Sequence, residues 1–330
     1  MTDDFLHGGA LDRMRAAFPD APEPWIDLST GLNPWPYPAT GVPPSVYHHL
    51  PTQTETDACR TAMADAIGAP RESMVLAPGS ELLIRLLPAI LGARRASILF
   101  PTYSDHARAW RAAGAKVTES TDPLNDTAHA DAVVLCNPNN PDGRIFPRDV
   151  LETARAQLAR RGGWLIVDEA YADLDPPFSL AALGGSENLI ILRSFGKFFG
   201  LAGVRLGGVL APKHVREALS QFFGVWPVSG AALHIGSRAY SDLAWQQATR
   251  DRLKTARQRL DVLLEEAGPT LAGGCDLFRL VRTEDATGTW RKLAEAGIYV
   301  RRFDWSDHLI RIGLPADAAA EERLAATLIP

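Results

Sequence analysis

From Ser73 onward the chain alternates short aliphatic runs with helix-patterned stretches, and no other feature restricts its fold so strongly. SMVLAPG precedes ELLIRLL, ASILFP precedes SDHARAWRAAG, KVTES and DAVVLCNPNNPDG precede RDVLETARAQLARR, and GWLIVDEAY comes next. Short aliphatic runs bounded by turn residues read as strands buried on both faces, which only helices on either side can cover. The expected fold is α/β: a three-layer domain around a mostly parallel sheet. Ligands in such sheets collect where strand carboxyl ends open into loops.

After Pro212 the pattern changes. KHVREALSQFF reads as a helix, and the stretch from Leu233 to Ala267 as one long helix with a buried stripe at Leu253, Leu260 and Leu264. The tail alternates short strands (DLFRLV, IYVRRF, HLIRIGL) with helical ATGTWRKLAEAG and ADAAAEERLAATL, a smaller α+β domain. The first fifty residues are rich in Gly and Pro and read as an irregular arm with one short strand, Trp25 to Leu28. Trp25, Ile26, Trp35 and Tyr37 are costly to leave in water, so the arm is expected to be ordered. Thr54 to Ile67 has helical spacing. The expected division is an arm at 1–45 packing with the small domain, a large ligand-binding domain at 46–232 and a small domain at 233–330.

Charge and cysteines narrow the function. A net charge of -5 with no Lys/Arg run argues against nucleic acid or a polyanionic surface as partner. Cys59, Cys136 and Cys275 lie far apart without metal-ligand spacing, which reads as reduced packing residues, no metal site and a cytoplasmic protein. The N-terminal MTDDFLHGG carries acids where a secretory signal needs bases. Arg85 and Pro88 interrupt LLIRLLPAIL, leaving that window too short to span a bilayer.

The chemistry centres on NLIILRSFGKFFGLAGVRLGGVLA, residues 188–211, with Lys197 between two apolar runs. Leu189 to Leu192 and Val204 to Ala211 read as strands, joined by a turn containing Ser194, Gly196, Gly200 and Gly203. A lysine at such a junction is partly desolvated, so its neutral amine becomes accessible and can form a Schiff base. Pro78-Gly79-Ser80-Glu81 opens a helix, where backbone N–H groups and a serine hydroxyl suit an anion or a simple cap. Asp168 ends a strand, either capping the next helix or facing a ligand. Asn137 to Gly143 is made of turn residues. Tyr103 comes just after a strand and reads as core or ligand aromatic.

In order along the chain, Gly79-Ser80-Glu81, Pro101-Thr102-Tyr103, NPNNPDG, DEAY, Ser194 to Lys197, Arg205 and Arg311 resemble the site of fold-type I pyridoxal-phosphate (PLP) enzymes of the class I and II aminotransferase superfamily. The resemblance spans nearly the whole chain. It implies Lys197 as the catalytic lysine and Asp168 as partner of the pyridine nitrogen. Asn140 and Tyr171 would bond the phenolic oxygen, Tyr103 would stack on the ring, and Gly79, Ser80, Glu81, Ser194 and Arg205 would surround the phosphate. Arg311 would clamp a substrate carboxylate, with Arg301 nearby. Gly196 stands where many relatives carry Ser or Thr.

The opening His7-Gly8-Gly9, then WIDLSTGLNPWPYP, resembles the L-threonine-O-3-phosphate decarboxylases of cobalamin biosynthesis, which make (R)-1-amino-2-propanol O-2-phosphate. This implies a phosphorylated amino-acid substrate, with His7, Asn33 and Arg301 near its phosphate, and a homodimer. Leu50 replaces a tyrosine that reaches the neighbouring subunit in many relatives, and Tyr47 is the candidate substitute. Histidinol-phosphate aminotransferase, a close relative, is the alternative.

Overall fold

The computed structural model describes residues 8–329. In chain order the elements are α1 (Leu11–Ala17), β1 (Ile26–Asp27), α2 (Gln53–Ala66), β2 (Met74–Ala77), α3 (Ser80–Leu91), β3 (Arg95–Leu99), α4 (Asp105–Ala112), β4 (Lys116–Ser120), β5 (Ala132–Cys136), α5 (Arg148–Ala159), β6 (Trp164–Asp168), β7 (Leu189–Ser194) and β8 (Gly207–Leu210). Then come α6 (Lys213–Phe223), α7 (Gly230–Ser241), α8 (Leu243–Glu266), β9 (Thr270–Cys275), β10 (Phe278–Arg282), α9 (Ala286–Glu295), β11 (Ile298–Tyr299), β12 (Arg301–Phe303), β13 (Ser306–Gly313) and α10 (Ala318–Leu328).

The chain forms two compact units. One comprises Pro36–Asn140 and Arg144–Gln246 and holds a seven-stranded sheet of order β2-β8-β7-β6-β5-β3-β4. Only β8 runs against its neighbours. Helices cover both faces, because consecutive strand residues point to opposite sides. Val209 joins Leu83 and Leu87 of α3 and Leu219 of α6 in the core on one face. A Cβ on the preceding Gly208 would come within 3.1 Å of Met63 of α2 on the other.

The other unit contains the described residues up to Trp35, Pro141–Gly143 and the described residues from Gln247 onward. Its four-stranded antiparallel sheet has the order β12-β13-β10-β9, and β1 pairs in parallel with β11. Asp285 and Asp317 accept backbone N–H bonds at the starts of α9 and α10, the local chemistry that begins a helix there.

Several sequence expectations change. The helix expected from Leu233 to Ala267 is two helices, because Asp242 closes α7 and its carboxylate accepts the Trp245 N–H to start α8. The strand expected from Val204 begins at Gly207: Ala202–Val204 is a helical turn and Arg205 sits at φ 55°. The arm contains a helix, α1, with one buried residue, Met14, too little apolar periodicity to read. IYVRRF divides at Val300. In β9 the sequence TLAGGC lacks alternation, and its register against β10 shifts beside Gly273. The boundary expected at 232/233 falls inside α7, whereas the units divide at Gln246 and Trp35 because α7 packs against α2.

Candidate active site

In the larger unit β2, β5, β6 and β7 run in one direction, so the loops after them leave the same edge of the sheet. Asp168, the last residue of β6, is only 3% exposed. One of its carboxylate oxygens accepts the Ala170 N–H at 3.0 Å, and the other lies 2.9 Å from His106 Nε2. His106 is buried; burial alone would lower its pKa, yet its bonds to Asp168 and Cys136 outweigh that and raise it from 6.5 to about 10. The imidazolium donates to Asp168 and holds a positive charge behind it. A histidine raised on folding stabilises the fold fully below its unfolded pKa. That stability is lost as pH rises from about 6.5 towards 10. Urea unfolding of cofactor-free protein is expected to show stability falling across this window, with a flatter profile in His106→Gln; equal slopes would refute the assignment.

The lysine turn rests on aromatic packing. Phe195, Phe198 and Phe199 are all buried. Phe195 stacks on Phe199 at 4.6 Å between centroids, and Phe199 stacks on Trp245 at 5.7 Å and meets Tyr240 edge-on at 4.9 Å. The Phe199 carbonyl also accepts the Tyr37 N–H at 2.9 Å. These contacts hold both sides of Lys197, which is itself partly exposed, with Nζ 5.9 Å from the Tyr171 ring centroid. Gly196 has a steric reason: a Cβ there would lie 2.9 Å from the Ala202 Cα.

An anion cradle forms at the start of α3. Gly79 precedes the helix at φ 89° without a side-chain cap, so the first-turn N–H groups are not covered by one. A Cβ on Gly79 would lie 2.7 Å from Arg205 Nη2, and one on Gly207 would lie 2.7 Å from the Ser80 nitrogen. Both glycines therefore leave room where a guanidinium and a helix N-terminus converge. Ser194, at the end of β7, is half-buried.

Tyr103 Oη donates to Glu81 at 3.1 Å, and Glu81 pairs with Arg85 at 2.7 Å. Burial, with Glu81 and Asp105 nearby, pushes the Tyr103 phenol well up, so it stays protonated. The loop after β5 is braced by buried asparagines. Asn139 accepts from Thr102 at 2.6 Å and donates to the Pro101 carbonyl at 3.0 Å, while Asn137 accepts the Phe146 N–H at 2.8 Å. Asn140, next along the chain, is half-buried.

The smaller unit holds the expected substrate residues. Arg311 of β13 is buried, donates through Nη2 to the Ser29 carbonyl and lies 4.8 Å from the Phe278 ring centroid. It is the register partner of Arg301 on β12. Arg302 instead lies over Trp290 at 5.3 Å, as alternation requires. Asn33 is buried and its side chain accepts the Trp35 N–H at 2.9 Å. His7 lies outside the described residues.

The family model for aminotransferase class I and II matches residues 45–327. The chain belongs to this family. Among its similar proteins are two named threonine-phosphate decarboxylase. That of Pseudomonas aeruginosa is 40% identical, over 98% of this chain and 97% of its own. That of Sinorhizobium sp is also 40% identical, over 99% and 98%. A solved histidinol-phosphate aminotransferase of Sinorhizobium meliloti, in complex with pyridoxal-5'-phosphate, superimposes with a TM-score of 0.79 at 19% identity, covering 96% of this chain and 92% of that one. At that identity it shows the fold alone.

A cofactor of this aminotransferase family would need a phosphate cradle, a buried acid and an amine. The glycine-lined cradle, Asp168 and Lys197 meet that demand in donor chemistry and in the space left by the absent Cβ atoms. Sequence reasoning missed His106, which no spacing marks. It also passed over Arg193, Glu169 and Asp173, all buried. An arginine within LIILR was the available signal, since a charge in a doubly covered strand requires a partner.

Proposed function

We propose that this chain decarboxylates L-threonine O-3-phosphate to (R)-1-amino-2-propanol O-2-phosphate for cobalamin biosynthesis, using PLP in the cytoplasm as a homodimer. The observation that carries the reading is 40% identity, over almost the full length of both chains, to proteins named threonine-phosphate decarboxylase. The Arg301 and Arg311 pairing supports it. Like charges opposite each other across a strand pair are destabilising, and a substrate with both carboxylate and phosphate offsets that cost. Among the described residues no helix is long and apolar enough to cross a membrane.

Bound PLP would supply an electron sink for the pair released when the Cα–carboxylate bond breaks. The chain's own residues do the rest. The α3 N-terminus, Gly79, Ser80 and Glu81 with Ser194 and Arg205 would hold its phosphate. Asp168, held in place by His106, would hold a proton on its ring nitrogen. Asn140 and Tyr171 would bond its phenolic oxygen, and Tyr103 would cover its ring. Arg311 would grip the substrate carboxylate while Arg301, Asn33 and His7 grip the substrate phosphate. Lys197 Nζ would then deliver a proton to Cα in place of the departed CO2, so that charge and atoms balance.

The test is direct: threonine phosphate given to PLP-loaded protein is expected to release CO2. Consumption of 2-oxoglutarate with histidinol phosphate, without CO2, would overturn the assignment. Arg311→Lys is expected to lower kcat/KM for threonine phosphate by about 10- to 100-fold, since a charge-assisted hydrogen bond contributes roughly 1.5–3 kcal/mol. A kcat/KM within twofold of the parent would remove Arg311 from the substrate site. Tyr47, Leu50, Phe222, Val225 and Trp226 of the larger unit are all exposed. Large exposed apolar residues support self-association. Sedimentation is expected to give a dimer at micromolar concentration, and a monomer throughout would refute it.

A further inference from the structure

The residues proposed to face the cofactor have a second set of neighbours that the reaction does not use. Glu169 directly succeeds Asp168, Asp173 lies two residues beyond Tyr171, and Arg193 precedes Ser194 at the end of β7, which leads into the turn that carries Lys197. Arg193 Nη1 donates to Glu169 Oε2 at 2.9 Å, and Nη2 donates to Asp173. Glu169 is further fixed by the Ser179 hydroxyl at 2.5 Å and the Leu180 N–H at 2.6 Å. Glu169 is 0%, Arg193 1% and Asp173 6% exposed. The main chains of the two strand ends join as well, with Glu169 N–H donating to the Leu192 carbonyl at 2.9 Å.

Such a cluster is poorly explained by stability. Desolvating three charges costs several kcal/mol each, and apolar residues of similar volume often serve a fold equally well. An arginine adds geometry: a rigid fork of donors that fixes two carboxylates in one plane. Because consecutive residues alternate sides, the fork lies on the face away from Asp168 and Ser194 and ties together the two segments that carry them. Tyr240 extends the tie. Its electrostatic neighbours include Asp173 and Arg193, and its ring packs on Phe195 at 5.6 Å beside Lys197's turn.

We propose that Arg193 is a positioning residue whose guanidinium, clamped between Glu169 and Asp173, sets the spacing between Asp168, Tyr171 and Lys197. The proposal rests on the PLP reading above. Its test uses full-length protein in two forms: Asp173→Asn, which keeps shape and the Glu169 pair, and the triple variant Arg193→Met, Glu169→Gln, Asp173→Asn, which removes all three charged groups together. The readouts are unfolding midpoint, the pH midpoint of the visible absorbance of PLP-loaded protein without substrate, and kcat against KM for threonine phosphate. A misplacement of about 1 Å costs on the order of 10²-fold in rate. The triple variant is expected to lose about that much kcat with KM near the parent's, and its absorbance midpoint is expected to move, while unfolding stays near the parent's. Asp173→Asn is expected to shift the midpoint in the same direction by less. A parental absorbance midpoint and kcat in whichever variant folds would overturn the proposal. Failure of the unaltered protein to develop a visible band with PLP would sink the cofactor reading itself, a result visible before any variant is made.

Discussion

Replacing Lys197 with alanine is expected to abolish CO2 release from threonine phosphate, by about 10⁴-fold or more, and to leave protein that loses its visible absorbance on dialysis. The rate loss reflects removal of a positioned proton-transfer group, whose contribution reaches about 10⁴-fold, together with removal of the only nucleophilic amine in the turn after β7. The side chain is partly exposed between two buried phenylalanines, so its loss opens no cavity in the aromatic packing. The unfolding midpoint should therefore stay close to the parent's, separating a chemical loss from a structural one. A variant that retains both the dialysis-resistant band and measurable turnover would refute the assignment of Lys197.

The second large effect is expected from Asp168→Asn. A carboxylate about 4 Å from a ring proton contributes roughly 4 kcal/mol at an effective dielectric near 20. That equals about three pKa units, so a loss near 10³-fold in rate is expected when the charge is removed at constant shape. The band should persist on dialysis, because Lys197 is intact, and this distinguishes the two variants. His106 loses its charged partner in the same step, so the imidazole should titrate lower than about 10. Turnover within tenfold of the parent would show that Asp168 does not hold the proton. NMR of labelled histidine is the independent check on the coupling.

Much of the candidate site is legible in the residues alone because its parts are local. A strand of aliphatic residues ending in Asp168, a helix opening at Ser80 after Gly79, and a lysine set among glycines each declare themselves within a few positions. Gly196, a departure from the family's usual Ser or Thr, gained its explanation only from the approach of Ala202. The helix break at Asp242 and the division of IYVRRF into β11 and β12 escaped notice because capping and pairing depend on geometry that hydrophobic periodicity does not encode. β9 was invisible because Gly273 and Gly274 give it no alternating side chains.

Periodicity and turn chemistry, which act between near neighbours, determined that this chain builds a covered sheet with turn-rich loops at the strand ends, and in which order those loops come. Tertiary structure alone decided which groups stand behind them. His106 meets Asp168 across 62 residues of sequence, and Arg193 meets Glu169 and Asp173 across 24 and 20. Buried charges must find partners wherever the fold brings them, and the packing of helix α4 and of the segment after β6, not spacing along the chain, chooses which partners arrive.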